Sequence, residues 1–143
     1  MNQQTETAVF VLRIALGVMS LAHGLLKIFV FTLPGTVGFF EQVGFPGWAA
    51  YLVILIEIAG GALLIAGVAV RQVSIALLPI LLGATYVHLG NGWVFSNANG
   101  GWEYPAYLVV AASAQAMLGP GRFALRFNTA KEQDKLDEQG VAP

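Results

Sequence analysis

The chain has 143 residues, of which 57% are hydrophobic and only 10% are charged, and its formal net charge is −1. Soluble domains carry about 25% charged residues, so this composition excludes an ordinary soluble domain and indicates a protein whose solvent is lipid. The sequence has no cysteine, which excludes disulfides, thiolate metal sites and thiol chemistry by the protein itself.

Four apolar stretches approach the length of a membrane span. Crossing roughly 30 Å of hydrocarbon takes about 20 mostly apolar helical residues, and the stretches cover residues 8–31, 48–70, 72–89 and 104–118. We therefore predict an all-α fold, an integral membrane four-helix bundle. It forms a single domain over residues 1–127, followed by a polar cytoplasmic tail over residues 128–143. Pro79 predicts a kink in the third span.

The basic residues predict the orientation. Residues 1–7 contain no Lys or Arg, which is not typical of a signal peptide, so we expect the first helix to stay in the mature protein. Arg71 lies between the second and third spans, and the residues Arg122, Arg126, Lys131 and Lys135 follow the fourth. The other two loops contain Glu41 and Glu103 but no basic residue. Because basic loops stay on the cytoplasmic side, both termini are predicted to be cytoplasmic.

The loop between His88 and Trp102 is longer than a tight hairpin needs, so we expect it to fold back as a cap. All three tryptophans are predicted to lie at this outer side, as in an interfacial belt.

Five ionisable residues fall within the predicted spans: Arg13, His23, Lys27, Glu57 and His88. An ionisable residue near the bilayer centre costs about 2.5–3.5 kcal/mol on insertion scales, so each one needs an explanation. Counting helical rise from the middle of each span places Glu57 and the two histidines at a depth similar to that of Lys27. The same count places Arg13 in the opposite half of the membrane.

Glu57 is the most informative of these residues. Its side chain is too short to reach the headgroups, so it must be paired or protonated. We predict a catalytic polar cluster of Glu57, His23, Lys27 and His88.

Arg13, Gly60 and Gly61 are predicted to contribute to cofactor binding. The two glycines leave room for a close helix or a ligand. The structural alternative stays open. In it, Lys27 and Arg13 extend to the headgroups, His88 is an interfacial group, and Glu57 forms an ion pair with His23 or Lys27.

Several short segments also occur together in a characteristic order. They are Leu12-Arg13-Ile14-Ala15-Leu16-Gly17, His23-Gly24-Leu25-Leu26-Lys27, Gly44-Phe45-Pro46, Glu57-Ile58-Ala59-Gly60-Gly61-Ala62-Leu63-Leu64, His88, Asn99-Gly100-Gly101-Trp102-Glu103-Tyr104 and Gly119-Pro120-Gly121-Arg122-Phe123. With these segments the chain resembles the DoxX family of small bacterial membrane proteins over about residues 11–125. In that family the closing Gly-x-Gly-Arg is often followed by Ser-Leu-Asp. Ala124-Leu125-Arg126 stands here instead, so a terminal carboxylate has no expected role.

The resemblance implies a multi-pass protein of the bacterial inner (plasma) membrane that is associated with a redox system. Family members are associated with quinol oxidase or thiosulfate:quinone oxidoreductase as subunits, or with oxidative-stress complexes as partners. The expected partners are the lipid bilayer and a membrane or soluble redox protein, and a homo-oligomer stays open. Whether the chain is itself an enzyme, as an oxidoreductase subunit, also stays open.

The residues leave three classes of function. The leading hypothesis is a redox subunit whose polar cluster binds a quinone headgroup or handles its protons. The second is a non-catalytic membrane scaffold or assembly factor, and the third, less favoured, is a small-molecule transporter.

The cofactor is not identified by the sequence. A quinone fits the cluster, whereas a haem held by His23 and His88 is disfavoured because no further haem motif accompanies them. No metal is predicted, because no close metal-ligand spacing occurs. Nucleic acid is not an expected partner, because acidic residues interrupt the basic C-terminal stretch.

Overall fold

The computed structural model describes residues 2–125, which form only helices, turns and bends. The helices are α1 (Gln3–Phe29), α2 (Leu33–Gln42), α3 (Trp48–Ala66), α4 (Val70–His88) and α5 (Glu103–Leu118), with a 3-10 turn at Leu89–Asn91 after α4. The all-α prediction is confirmed for the described residues. The tail predicted over residues 128–143 lies outside them.

Among the described residues, three helices are long and apolar enough to cross a membrane: α1, α3, and α4 together with its 3-10 turn. The remaining predicted span corresponds to α5, which has 16 residues. At 1.5 Å of rise per residue it is roughly 24 Å long, which is shorter than the roughly 30 Å hydrocarbon core. The count of four spans therefore stays a prediction.

The connection between α3 and α4 lies earlier in the chain and is longer than the sequence pattern predicted, because residues 67–69 separate the helices where the predicted spans left only residue 71. Helix α3 ends at Ala66, four residues before the predicted end at 70, because Gly67 adopts a left-handed conformation with φ 77°. Its N–H closes the last turn on the carbonyls of Leu63 and Leu64, a common way to end a helix. Helix α4 then begins at Val70 and continues through Pro79, and the predicted kink there stays a prediction.

Helix α2 was not predicted: it lies between the first two predicted spans, and it begins at Leu33-Pro34-Gly35, which contains residues that usually interrupt helices. Pro34 lies in the first turn, where a helix needs no N–H from that residue. The Thr32 side chain accepts a hydrogen bond from the Gly35 N–H at 3.3 Å, which caps the helix. Breaker residues therefore start this helix rather than prevent it.

The helices pack mainly as two pairs, α1 with α3 and α4 with α5. Glycines allow the closest approach: a Cβ atom on Gly61 would lie 2.6 Å from the backbone nitrogen of Leu21 and 2.8 Å from the carbonyl oxygen of Gly17. Small residues at such a crossing let two helix backbones meet. This crossing determines the rotation of α3 against α1, and thereby which side chains meet farther along the helices.

Apolar side chains remain exposed on all the long helices: Val18, Leu55, Leu82 and Val110 are each more than half exposed. Such surfaces imply contact with the lipid bilayer. We call the end where α1 finishes and α5 begins the Lys27 end. The opposite end, where α1 begins and α5 finishes, is the Arg13 end.

Candidate functional site

The structure brings Lys27 and Glu57 together as an ion pair between α1 and α3. The Lys27 Nζ atom lies 2.7 Å from Glu57 Oε2 and 2.9 Å from Oε1, so the ammonium donates to both carboxylate oxygens. The two side chains are 19% and 9% exposed, respectively. Charges that leave water at this level need a partner of opposite sign, and each of these residues supplies one for the other.

Local sequence makes room for this pair. Gly24 lies one turn before Lys27, and a Cβ atom there would come within 3.1 Å of the Glu57 Cβ. The missing side chain at Gly24 thus allows α3 to bring its carboxylate close to α1. On the other side, the Thr36 hydroxyl of α2 lies 2.9 Å from the carbonyl oxygens of both Lys27 and Thr32, and its single hydrogen is shared between these two acceptors. Helix α2 is therefore attached to the same turn of α1 that carries the ammonium.

The Lys27 ammonium can donate one more hydrogen bond than it makes to Glu57. An ammonium has three N–H donors, and two of those on Lys27 point to Glu57. Within residues 2–125 the third has no hydrogen-bond partner. A polar ligand that reaches the exposed side of Lys27 could accept this hydrogen without breaking the ion pair.

His23 lies one turn before Lys27 on α1 and faces α5. Its Nδ1 atom is 2.8 Å from the Met19 carbonyl oxygen. Since a carbonyl oxygen can only accept, Nδ1 carries the hydrogen, and in the neutral ring Nε2 is free to take a proton. The ring stacks on Tyr104 with centroids 6.1 Å apart and 27° between the planes.

His88 has the same local bond but different surroundings. Its Nδ1 atom lies 2.7 Å from the Ala84 carbonyl oxygen, so Nε2 is again the free nitrogen. The ring packs against the loop before α5, where a Cβ atom on Gly100 would lie 3.4 Å from it. In the described range no hydrogen bond joins His88 to Lys27 or Glu57. The same range contains no group of three or more His, Cys, Asp or Glu side chains able to hold a metal ion.

Arg13 lies at the other end of the bundle and is fully buried, with 0% of its surface exposed. Its Nη1 donates to the Pro120 carbonyl at 2.7 Å and its Nη2 to the Phe123 carbonyl at 3.4 Å. The guanidinium also lies 5.3 Å from the centre of the Phe10 ring. Arg13 thus binds the segment after α5 and does not reach out to the headgroups.

The two candidate glycines lie at helix contacts. Gly61 meets α1 at the crossing described above. Gly60 faces α4, where an added Cβ would lie 3.1 Å from the Val73 Cγ1. Both positions are filled by neighbouring helices.

Sequence reasoning did not single out two residues that border the ion pair or His23, namely Thr36 and Tyr104. Thr36 contacts the Lys27 turn only because α2 folds back onto α1, and no local sequence pattern predicts that contact. Tyr104 resembles any aromatic residue of an interfacial belt in the sequence, and its stacking on His23 depends on how α5 packs against α1.

Comparisons with known proteins confirm the resemblance to the DoxX family. A family model described as DoxX matches residues 8–90, which is more than half of the chain and includes Lys27, Glu57 and His88. A curated protein of Bacillus subtilis (strain 168), "Putative oxidoreductase CatD", is 36% identical over 84 residues. The aligned segment covers 59% of this chain and 61% of that protein, so it spans less than two thirds of the relative. No solved structure was found to match.

Proposed function

We propose, from the premise that this chain belongs to the DoxX family of membrane proteins, that it is a membrane subunit or partner of a quinone-linked redox or oxidative-stress system. The observation that carries the proposal is the Lys27–Glu57 ion pair, which joins a cation and a titratable carboxylate between two apolar helices. The role of the pair is to bind a quinone headgroup and to supply its protons.

The proposed chemistry follows from what quinone reduction requires. A quinone becomes a quinol when it gains two electrons and two protons, and the protons end on the two carbonyl oxygens. The third N–H of Lys27 donates a hydrogen bond to one of these oxygens, which stabilises the negative charge that develops there. Glu57 and the Nε2 atom of His23 each take up a proton from water and pass it to one of the two quinone oxygens, so that water is the source of both protons. The electrons come from a partner protein, since the sequence has no cysteine and no Gly-x-Gly-x-x-Gly segment.

The Bacillus subtilis relative has the word oxidoreductase in its name, which agrees with a redox role. This chain spans 61% of the length of that protein. Because the alignment covers only part of the relative, the redox role of this chain is part of the proposal.

The proposed setting is the bacterial inner membrane, crossed four times, with both termini in the cytoplasm. The charges support this arrangement. Arg122 donates its backbone N–H to the Glu6 carbonyl at 3.3 Å, and Arg71 lies beside Gly119, so both arginines are at the Arg13 end. Glu41 and Glu103 belong to the segments of the opposite end. This asymmetry is the one that the positive-inside rule requires.

The experiment that tests the proposal is mass spectrometry of the small molecules that co-purify with the protein in mild detergent. We expect the wild type to retain a quinone and Glu57→Gln to lose it. Glu41→Gln is the matched control, because it removes an exposed carboxylate of α2 outside the pair, and it should retain the quinone. A wild type without quinone, or a Glu57→Gln variant that keeps it, contradicts the proposal.

A second candidate function is a non-catalytic membrane scaffold. It is favoured by the observation that Lys27 and Glu57 satisfy each other beside a glycine-packed crossing, as a purely structural pair would. The charge-exchanged variant, with Lys27→Glu and Glu57→Lys together, separates the two functions. If the exchanged pair restores both stability and quinone retention, the pair acts structurally. If it restores stability alone, the positions of ammonium and carboxylate matter for the ligand.

A further inference from the structure

An open groove of about 520 Å³ lies beside the start of α5. Its walls carry five aromatic side chains and one carboxylate, which are Trp93, Phe95, Trp102, Tyr104, Tyr107 and Glu103. We infer that this groove binds an amphiphilic organic cation, in which a quaternary or tertiary ammonium head is joined to an apolar tail. The inference does not depend on the proposed redox function.

Three of the rings, those of Trp93, Phe95 and Trp102, belong to a loop that hydrogen bonds hold in place, and the two tyrosines lie on α5. The Phe95 N–H donates to Glu103 Oε1 at 2.9 Å, and the Glu103 N–H donates to the Trp93 carbonyl at 3.1 Å. A further backbone bond of 3.1 Å joins the Trp102 N–H to the Gly92 carbonyl. Trp93 and Trp102 then pack edge to face with centroids 4.4 Å apart. A site that is organised before its ligand arrives loses less conformational entropy on binding.

The charge of the groove calls for a cation. Glu103 is the only charged residue among its lining residues, and the sequence from 72 to 121 contains no Lys or Arg. The Oε1 atom of Glu103 accepts the Phe95 N–H, whereas Oε2 has no hydrogen-bond partner in the part of the chain that the structure describes. Faces of aromatic rings attract ammonium groups, and cages of such rings recognise quaternary ammonium ligands. A carboxylate among five rings combines both attractions.

The shape of the groove explains why the cation should be amphiphilic. Glu103, Tyr107 and Val110 recur at intervals of four and three residues, so they share one face of α5. Tyr107 and Val110 are 68% and 67% exposed. The carboxylate thus lies at the start of an apolar strip that runs along the helix. An ordinary interfacial belt presents single rings to lipid, whereas here a hydrogen-bonded loop gathers the rings around one charge.

The test uses tryptophan fluorescence in micelles of an uncharged maltoside detergent. The background variant Trp48→Phe leaves Trp93 and Trp102, both in the groove, as the only tryptophans. Choline is compared with its neutral isostere 3,3-dimethylbutan-1-ol, in which carbon replaces the ammonium nitrogen. We expect a saturable change with choline at a midpoint at least about tenfold lower than with the alcohol. Hexyltrimethylammonium should bind more tightly than choline, because its tail buries additional apolar surface.

Glu103→Gln removes the charge but keeps an oxygen for the Phe95 N–H, and it should weaken choline binding by about tenfold. Glu41→Gln removes a carboxylate outside the groove and should leave binding unchanged. Tyr107→Leu retains the carboxylate and the loop bonds and should weaken binding severalfold, so the inference stays testable if Glu103→Gln does not fold. Equal binding of the neutral alcohol, or equal weakening by both Gln variants, overturns the inference.

Discussion

The two ends of the bundle bury a cationic side chain in different ways. At the Arg13 end the guanidinium is 0% exposed and bound to the neutral carbonyls of Pro120 and Phe123. At the Lys27 end the ammonium is 19% exposed and is bound to the carboxylate of Glu57. One cation is enclosed by the protein and bound to backbone carbonyls, and the other is partly exposed and paired with a charged side chain.

The difference shows which buried charge can take part in chemistry. An arginine side chain stays protonated in proteins, so Arg13 can hold a segment of chain but cannot pass a proton. Lysine and glutamate both gain and lose protons, and a partly exposed pair can do so with a ligand. For this reason we assign the proposed proton transfer to the Lys27 end and an anchoring role to the Arg13 end.

The largest expected effect comes from breaking the ion pair. Glu57→Gln leaves the Lys27 ammonium without a counter-charge, and we expect the free energy of unfolding to fall by about 3 kcal/mol. The double variant Lys27→Met, Glu57→Gln removes both charges and should recover most of that loss. SDS titration in mixed micelles, followed by tryptophan fluorescence, measures these changes. The single variant Lys27→Met completes the cycle, and if its effect and that of Glu57→Gln simply add in the double variant, the two charges are not coupled and the comparison fails.

A smaller effect is expected at the Arg13 end. Arg13→Lys keeps the charge but replaces the forked donor by a single ammonium, which cannot bond two separate carbonyls in the same way. We expect a loss of about 2 kcal/mol and faster hydrogen exchange over residues 119–125. Arg122→Lys is the control, because the Arg122 guanidinium lies 5.0 Å from the Phe123 ring and makes no side-chain hydrogen bond within residues 2–125. Wild-type stability and exchange in Arg13→Lys would show that Arg13 is not an anchor.

The smallest effect concerns the helix that borders the ion pair. Thr36→Val removes the hydroxyl that joins α2 to the Lys27 carbonyl, so we expect about 1 kcal/mol of lost stability and faster hydrogen exchange over residues 33–42. Thr85→Val is the matched control, because the Thr85 hydroxyl donates to Leu81 within its own helix. It should leave exchange in α2 unchanged. Equal exchange in the two variants would mean that Thr36 does not hold α2 in place.

Most of the helical architecture could be predicted from local sequence. Long apolar runs identify α1, α3 and α4, because the number of residues needed to cross hydrocarbon is a property of each segment alone. Helix α2 was not predicted because its 10 residues are too few for a membrane span, and because proline usually interrupts a helix although it is compatible with a first turn. The end of α3 was misplaced because an apolar run does not reveal that Gly67 adopts a left-handed conformation.

The partner of Glu57 could not be predicted from the sequence. Its depth required a partner or a proton, but His23 and Lys27 were both candidates on α1. The choice depends on the rotation of α3 against α1, which the crossing at Gly17 and Gly61 determines. The partners of Arg13 were less accessible still, since they are backbone carbonyls more than a hundred residues away. Because every residue has a backbone carbonyl oxygen, no sequence pattern identifies the ones that bind Arg13.

Local sequence is enough to establish that this chain is helical, apolar and asymmetric in charge, because those properties are sums over neighbouring residues. It also determined that its few buried ionisable groups must find partners, because lipid does not solvate charge. The contacts between distant segments follow from the folded chain alone: Lys27 meets Glu57, His23 stacks on Tyr104, and five aromatic side chains line the same groove as Glu103. These contacts depend on helix rotation and loop closure, which are set by packing between segments that lie far apart in the chain.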